Sequence, residues 1–203
     1  MINIYFDFIK EPKKIDMQFF CESVKAKISA TANEQLKNER IYAYNLLKRA
    51  IGEKNGSHKE ILFTDKGKPF IKDADFEISI SHTGKAVCVA VGNKKPIGID
   101  VEILNDKNEK TASSFVRRYL KEVNIKTKKP EEKFLFFGIE NIYECEESSN
   151  LLKWTAIEAV LKAVGDGFSS LPDIESYIDG YQIYSGKIMH ENEIYVFSVA
   201  EEK

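Results

Sequence analysis

The segment 151–164 most constrains how this chain folds, because it predicts a helix that is apolar on nearly every side. The helix is expected to end at Gly165, with Gly167 close behind, since glycine often follows the last helical residue. A helix that is hydrophobic all round is stable only when most of its surface is buried. The sequence therefore predicts a helix packed inside a folded domain.

Two charged residues interrupt this apolar helix. Glu158 and Lys162 lie four positions apart and Trp154 lies four positions before Glu158, so all three share one helix face. An exposed ion pair at this spacing stabilises a helix by only about 0.2–0.5 kcal/mol. Because the rest of the helix is expected to be buried, we favour a shared binding or catalytic site over an ordinary surface pair.

The remaining pattern predicts an α+β protein. Helices are predicted at 17–28, 34–51 and 111–122, and strands at 2–9, 61–64, 76–81, 86–91, 97–104, 181–189 and 194–200. The helix at 34–51 is expected to stop at Gly52. Segments 82–91 and 190–199 each carry a polar turn that leads into an apolar strand. That similarity indicates either two related subdomains or chance.

Acidic side chains alternate with apolar ones in the strand at 97–104. Asp100 and Glu102 project from one face of this strand, because side chains two positions apart point the same way. Neighbouring carboxylates repel each other unless a positive charge lies between them. A hard divalent cation with oxygen ligands is one such charge, and an edge strand with solvated acids is the alternative.

Basic and polar side chains lie in two turns. Ser81 and His82 follow a strand and can donate to a phosphate, although a lone histidine in a turn is more often structural. Lys66 and Lys68 flank a glycine, where an anion can approach the backbone, although such a turn is often only solvated surface. The sequence lacks the spacing of a catalytic triad and the GxSxG nucleophile elbow, which argues against a hydrolase. It also lacks the Walker phosphate-binding loop.

Composition excludes several classes of protein. With 30 Lys+Arg against 32 Asp+Glu the net charge is −2, which argues against a nucleic-acid-binding surface. No apolar run approaches the roughly 18 residues of a membrane span. The three cysteines are widely and irregularly spaced, so neither a structural zinc site nor a disulfide framework is expected. We expect a cytoplasmic protein.

Four motifs then occur in order. They are Lys66-Gly67-Lys68-Pro69, Ile78-Ser79-Ile80-Ser81-His82-Thr83, Ile97-Gly98-Ile99-Asp100-Val101-Glu102 and Trp154-x-x-x-Glu158-x-x-x-Lys162-x-x-Gly165-x-Gly167. This series resembles the 4′-phosphopantetheinyl transferase superfamily, in its larger surfactin-synthetase-activating type. The resemblance spans about residues 66–168, and the 203-residue length fits this type better than the half-sized trimeric one.

The resemblance implies a fold and a reaction. The fold has two similar α+β subdomains with pseudo-twofold symmetry, here 1–100 and 101–203, in a monomer with the active site at their interface. Such enzymes transfer the 4′-phosphopantetheine group of coenzyme A to a serine of an apo acyl or peptidyl carrier protein. The second product is adenosine 3′,5′-bisphosphate, and the reaction requires Mg²⁺.

The resemblance also implies residue roles. The metal ligands would be Asp100, Glu102 and Glu158, and the coenzyme A contacts Arg49, Lys68, Pro69, Ser81, His82 and Lys162. Lys162 would contact the pyrophosphate, Ser81 and His82 the 3′-phosphate, Lys68 and Pro69 the adenine nucleotide, and Arg49 a further phosphate. Glu158 is the first choice of general base, with Lys162 or Glu122 as alternatives.

One position departs from the family pattern. The family usually has lysine directly before the helix glutamate, where this chain has Ile157; Lys153 or Lys85 can substitute. Two alternatives therefore stay open: a non-catalytic homologue that binds coenzyme A or a carrier protein, and another metal-dependent enzyme that cleaves pyrophosphate.

Overall fold

The computed structural model describes residues 1–10, 20–53, 60–119, 123, 125–145, 149–167 and 174–203. It is an α+β protein, as expected. The strands are β1 (Ile2–Phe8), β2 (Ile61–Phe63), β3 (Pro69–Ile71), β4 (Ile78–Thr83), β5 (Ala86–Val91), β6 (Ile97–Ile103), β7 (Phe134–Phe137), β8 (Tyr181–His190) and β9 (Glu193–Glu202). The helices are α1 (Glu22–Ser29), α2 (Glu34–Glu53), α3 (Asp106–Tyr119), α4 (Asn150–Val164) and α5 (Ile174–Gly180).

Three strands of the first large sheet are arranged in the same order as the three strands of the second. The first sheet runs β4-β5-β1-β7 and the second β6-β9-β8, while β2 and β3 form a separate pair. In each large sheet the second strand of a hairpin lies between its partner and an earlier strand: β5 between β4 and β1, and β9 between β8 and β6. A long helix, α2 or α4, precedes each hairpin. The order strand, helix, hairpin thus occurs twice.

The division of the chain at residue 100 stays a prediction. That position falls inside β6, whose whole length belongs to the second sheet. From the predicted C-terminal half, β7 pairs in parallel with β1 and joins the first sheet. Each half of the sequence therefore contributes a strand across the proposed boundary.

Helix α4 is buried, as the sequence predicted. Nine of its residues are buried, and Gly165 ends it in the left-handed conformation at φ 87°. It packs tightly against β6 at Gly98, where an added Cβ would lie 1.8 Å from the Ala159 carbonyl oxygen and 2.6 Å from the Ala163 nitrogen. Only glycine fits between this helix and strand.

Two serine hydroxyls join the edges of the large sheets. Ser79 Oγ accepts a hydrogen bond from the Ile99 amide at 3.0 Å, and Ser81 Oγ accepts one from the Val101 amide at 3.3 Å. Since β6 is an edge strand, these amides have no ladder partner and would otherwise be buried unsatisfied. The contacts bring Ser81 beside Asp100.

Some element predictions were wrong in detail. Helix α2 continues through Gly52, which has no positive φ, so this glycine is helical rather than a stop; no described residue lies within 4 Å of a Cβ added there. Helix α3 begins at Asp106 instead of 111, because Asn105 Oδ1 accepts from the Asn108 amide at 2.8 Å and caps the helix. Strands β3 and β7 and helix α5 were not predicted.

Two simpler expectations can be compared with the structure. Within the described residues, no helix is both long enough and apolar enough to cross a membrane. Cys21, Cys88 and Cys145 are free thiols, and Cys88 is fully buried in β5.

Candidate functional site

The centre of the candidate site is a hydrogen-bonded group formed by the buried Ser81 and Asp100 and the partly exposed Lys162. Lys162 Nζ donates to Asp100 Oδ1 at 2.6 Å and to Ser81 Oγ at 2.8 Å. Ser81 Oγ donates in turn to Asp100 Oδ1 at 2.8 Å. The three side chains come from β4, β6 and α4, so the close contact of α4 with β6 at Gly98 is what assembles them.

The second oxygen of Asp100 has no hydrogen-bond partner in the part of the chain that the structure describes. Asp100 is only 4% exposed, and its Oδ2 is buried. Leaving a buried charged oxygen unsatisfied costs at least about 1–3 kcal/mol. A carboxylate oxygen in this situation fits a bound cation, and hard divalent cations prefer such oxygens.

Two further carboxylates add to the negative charge around Asp100. Burial, followed by the charge of Asp100, raises the pKa of Glu102 to about 7. The same two causes, in the same order, raise the pKa of Glu158 to about 7. Glu102 Oε2 also accepts from Thr83 Oγ1 at 3.0 Å. Three acids against one lysine leave an excess of negative charge that a cation would neutralise.

Lys162 stays charged in this arrangement. Its burial favours the neutral amine, but the Asp100 carboxylate and the hydrogen bond to it outweigh burial, and the pKa of Lys162 is raised. A lysine that holds its proton this firmly stabilises negative charge and does not accept a proton. This favours Glu158 over Lys162 as the base.

The chemistry of the three acids fits Mg²⁺, but their present geometry does not form a closed coordination shell. Among the described residues, no three His, Cys, Asp or Glu side chains are gathered tightly enough to hold a metal ion. Lys162 instead neutralises one oxygen of Asp100. The case for Mg²⁺ at this site therefore rests on the Asp100 Oδ2 that the described residues leave unpaired and on the fact that all three predicted ligands are carboxylates, which bind through oxygen.

Ser81 and His82 lie within β4, not in a turn after a strand as the sequence predicted, and they point to opposite faces of β4, as adjacent strand residues do. Ser81 faces Asp100, whereas His82 faces α2, where its Nδ1 lies 2.8 Å from Glu39 Oε2. Arg49, also on α2, pairs with Asp7 Oδ2 at 3.0 Å and has a side chain that is 60% exposed. The structure thus places Ser81 on one side of the first sheet, and His82 and Arg49 on the side that α2 covers.

The basic turn at 66–68 lies against the C-terminal end of α4. Lys68 Nζ donates to the Ala163 carbonyl at 2.7 Å and lies 3.4 Å from Glu77 Oε2, while Pro69 begins β3. Cations at a helix C-terminus are stabilised by the partial negative charge of its free carbonyls. Lys68 therefore contacts the residue that directly follows Lys162 on α4.

Sequence reasoning missed one cation at this turn, Lys27, and a second, Arg40, whose charge acts on Lys27. Lys27 Nζ donates to the Gly67 carbonyl at 3.1 Å, and both burial and the charge of Arg40 lower the pKa of Lys27. Arg40 Nη1 donates to the Thr31 hydroxyl. Two cations that repel each other favour an anion between them. No local pattern marks the pair, because α1 and α2 bring it together only by packing.

A small cavity adjoins Glu102. Its volume is about 70 Å³, and it is lined by Glu102, Asn108, Thr111, Ala112, Leu151 and Trp154. Asn108 Nδ2 lies 3.4 Å from Glu102 Oε2, a contact that sequence reasoning also missed. The shared face of Trp154, Glu158 and Lys162 therefore runs from this cavity to Asp100.

The departure from the family pattern has a structural counterpart. Ile157 is 1% exposed and lies in the hydrophobic core, so this position supplies no cation to the site. Lys85, one suggested substitute, lies 3.7 Å from Glu193 Oε1. Glu122, the alternative base, lies outside the described residues.

No family model matches this chain, and no curated protein matches it either.

Proposed function

We propose that this protein is an Mg²⁺-dependent 4′-phosphopantetheinyl transferase that modifies a serine of an apo acyl or peptidyl carrier protein. The main support is the hydrogen-bonded group of Ser81, Asp100 and Lys162, in which Asp100 Oδ2 is buried and has no partner among the described residues. These residues belong to three of the four motifs that resemble the superfamily. The repeated order of strand, helix and hairpin is compatible with a fold of two similar subdomains.

Coenzyme A is a strongly anionic ligand, and the site has groups of both signs to receive it. Asp100, Glu102 and Glu158 would hold the divalent cation, which would neutralise the pyrophosphate and stabilise the leaving bisphosphate. Lys162 is the nearest protein cation to those acids. Lys68, with Lys27 on the far side of its turn, would receive the nucleotide phosphates.

The reaction forms one bond and breaks one. The carrier serine oxygen attacks the phosphorus next to the pantetheine, and the bond from that phosphorus to the bridging pyrophosphate oxygen breaks, releasing adenosine 3′,5′-bisphosphate. The serine proton passes to the Glu158 carboxylate, the acid that lies one turn before Lys162 on α4. Lys162 keeps its proton and stabilises charge on the pyrophosphate.

The carrier protein would approach from the side of α3. Arg117 and Arg118 are exposed in the last turn of that helix. Carrier proteins are acidic, so this pair would favour encounter by charge complementarity. Lys121, a third basic residue of this stretch, lies outside the described residues.

The raised pKa values of Glu102 and Glu158 predict how Mg²⁺ and pH act together. Both groups have a pKa of about 7 in the folded protein, above the ordinary value of 4.5. Between pH 4.5 and about pH 7 the two carboxyl groups hold protons in the folded state that they have lost in the unfolded state. The contribution of these two groups to the stability of the fold therefore falls as the pH rises. Mg²⁺ binds the deprotonated carboxylates. We therefore expect Mg²⁺ to raise the melting temperature more at pH 8 than at pH 5.5.

Differential scanning fluorimetry at matched ionic strength measures this difference, with NaCl as the control salt. An equal Mg²⁺ effect at the two pH values would contradict the assignment of these carboxylates to a cation.

One observation favours a second candidate function, a non-catalytic homologue that binds coenzyme A or a carrier. It is the buried Ile157 at the position where the family usually has a lysine.

Chromatography of the nucleotide product distinguishes the candidates. A transferase releases adenosine 3′,5′-bisphosphate from coenzyme A only when an apo carrier is present. A binding homologue releases none, and a pyrophosphate-cleaving enzyme releases nucleotide without any carrier.

A further inference from the structure

Glu39 is a buried acid that the proposed reaction does not use. Glu39 lies on α2 and is 7% exposed, and each of its two carboxylate oxygens has a hydrogen-bond partner. Oε2 is 2.8 Å from His82 Nδ1, and Oε1 accepts from Gln35 Nε2 at 3.1 Å. Burying a carboxylate is costly unless it is paired and hydrogen-bonded. Glu39 is thus held in one position, directed at the imidazole.

This contact decides which atom of His82 can meet a ligand. A carboxylate only accepts hydrogen bonds, so Nδ1 must be the donor to Glu39. The side chain of His82 is 25% exposed, and its second nitrogen, Nε2, is then the atom left for a ligand. A phosphate oxygen also only accepts, so a phosphate at Nε2 requires a ring that donates from both nitrogens. By accepting from Nδ1, Glu39 fixes the orientation of the ring.

We infer that Glu39 is a positioning residue that makes the chain select nucleotides carrying a 3′-phosphate over the same nucleotides without it. Glu39 acts through His82 and does not touch the ligand. This inference rests on the proposed function, in which His82 receives the 3′-phosphate of coenzyme A.

The test compares the affinities of coenzyme A and 3′-dephospho-coenzyme A in the wild type and in Glu39→Gln. Glutamine keeps the volume of the side chain and a hydrogen-bond acceptor but removes the charge. We expect the preference for coenzyme A, measured by isothermal titration calorimetry, to fall about tenfold, as for one charge-assisted hydrogen bond. Affinity for the dephospho form is expected to stay unchanged. Because both affinities are measured on the same preparation, their ratio does not change if part of a variant is unfolded.

A matched control is Glu34→Gln. Glu34 lies on the same helix but is 82% exposed, in a pair with Lys37, so its replacement is expected to leave the ratio unchanged. In a His82→Ala background, Glu39→Gln is expected to change the ratio no further. If Glu39→Gln folds poorly, Glu39→Asp is the second test: its shorter side chain moves the carboxylate away from Nδ1, and a reduced preference supports the inference.

The outcomes separate the inference from the function. A wild type that does not bind coenzyme A overturns both. A wild type that prefers coenzyme A, with the same preference retained in Glu39→Gln or in Glu39→Asp, overturns the inference alone. The inference is also overturned if Glu39→Gln lowers the affinities for coenzyme A and for its dephospho form by the same factor, as the loss of a merely structural residue would. It is overturned as well if Glu39→Gln lowers the affinity ratio in the His82→Ala background as much as it does in the wild type.

Discussion

Glu158→Gln is expected to slow carrier modification at least about 100-fold, the usual scale of losing a general base. The substitution removes a carboxylate whose pKa of about 7 reflects burial and the neighbouring Asp100. It also removes one of the three oxygen ligands proposed for the cation. Because glutamine has nearly the same volume, the packing of α4 should be retained. Rates of bisphosphate release at saturating coenzyme A measure the effect.

Glu175→Gln is the matched control for this variant. Glu175 is an exposed acid in the first turn of α5, and its replacement is expected to leave the rate unchanged. A Glu158→Gln rate within about threefold of the wild type would contradict the assignment of Glu158 as base. The base would then have to be sought elsewhere, with Glu122 as the next residue to replace.

Gly98→Ala is expected to destabilise the fold by more than about 2 kcal/mol, near the upper end of the cost of overpacking. The new methyl group would lie 1.8 Å from the Ala159 carbonyl oxygen, a backbone atom that cannot move aside alone. Helix α4 must therefore separate from β6. That movement also parts Lys162 from Asp100, which now lie 2.6 Å apart, so activity is expected to fall with stability.

Urea denaturation of Gly98→Ala and of Gly52→Ala measures this cost against a control. Gly52 lies in α2 with nothing within 4 Å of an added Cβ, so alanine there is expected to be neutral or slightly stabilising. If Gly98→Ala were as stable as the wild type, α4 could not pack against β6 as closely as the structure shows.

The sequence predicts those elements whose burial leaves a simple pattern. Helix α4 was predicted to within one residue at its start because nearly every position is apolar. Strand β6 was predicted because Ile99 and Val101 alternate with the acids. Strand β7 left no such signal, since four residues in a charged region become a strand only by pairing with β1 over more than one hundred positions.

In the candidate site too, the sequence predicts the contacts that follow from a local pattern and misses those that depend on long-range packing. Strand and helix periods place Asp100 with Glu102 and Glu158 with Lys162, and the structure brings the two pairs together. Strand alternation also implies that Ser81 and His82 face opposite ways, although their motif suggested a joint role.

The contacts of Glu39, Lys27 and Arg40 depend on how α1 and α2 pack against the strands and the turn at 66–68. Such non-local contacts leave no periodic trace in a single sequence, because each partner lies in a separate element whose orientation is set by the whole fold.

Intact-mass spectrometry of an apo carrier protein, incubated with this protein, coenzyme A and Mg²⁺, tests the proposed function most directly. The carrier is expected to gain the mass of one phosphopantetheine group, and a carrier whose acceptor serine is replaced by alanine is expected to gain nothing. An unchanged mass across a panel of acyl and peptidyl carriers, with folded protein and intact coenzyme A in every reaction, would contradict it.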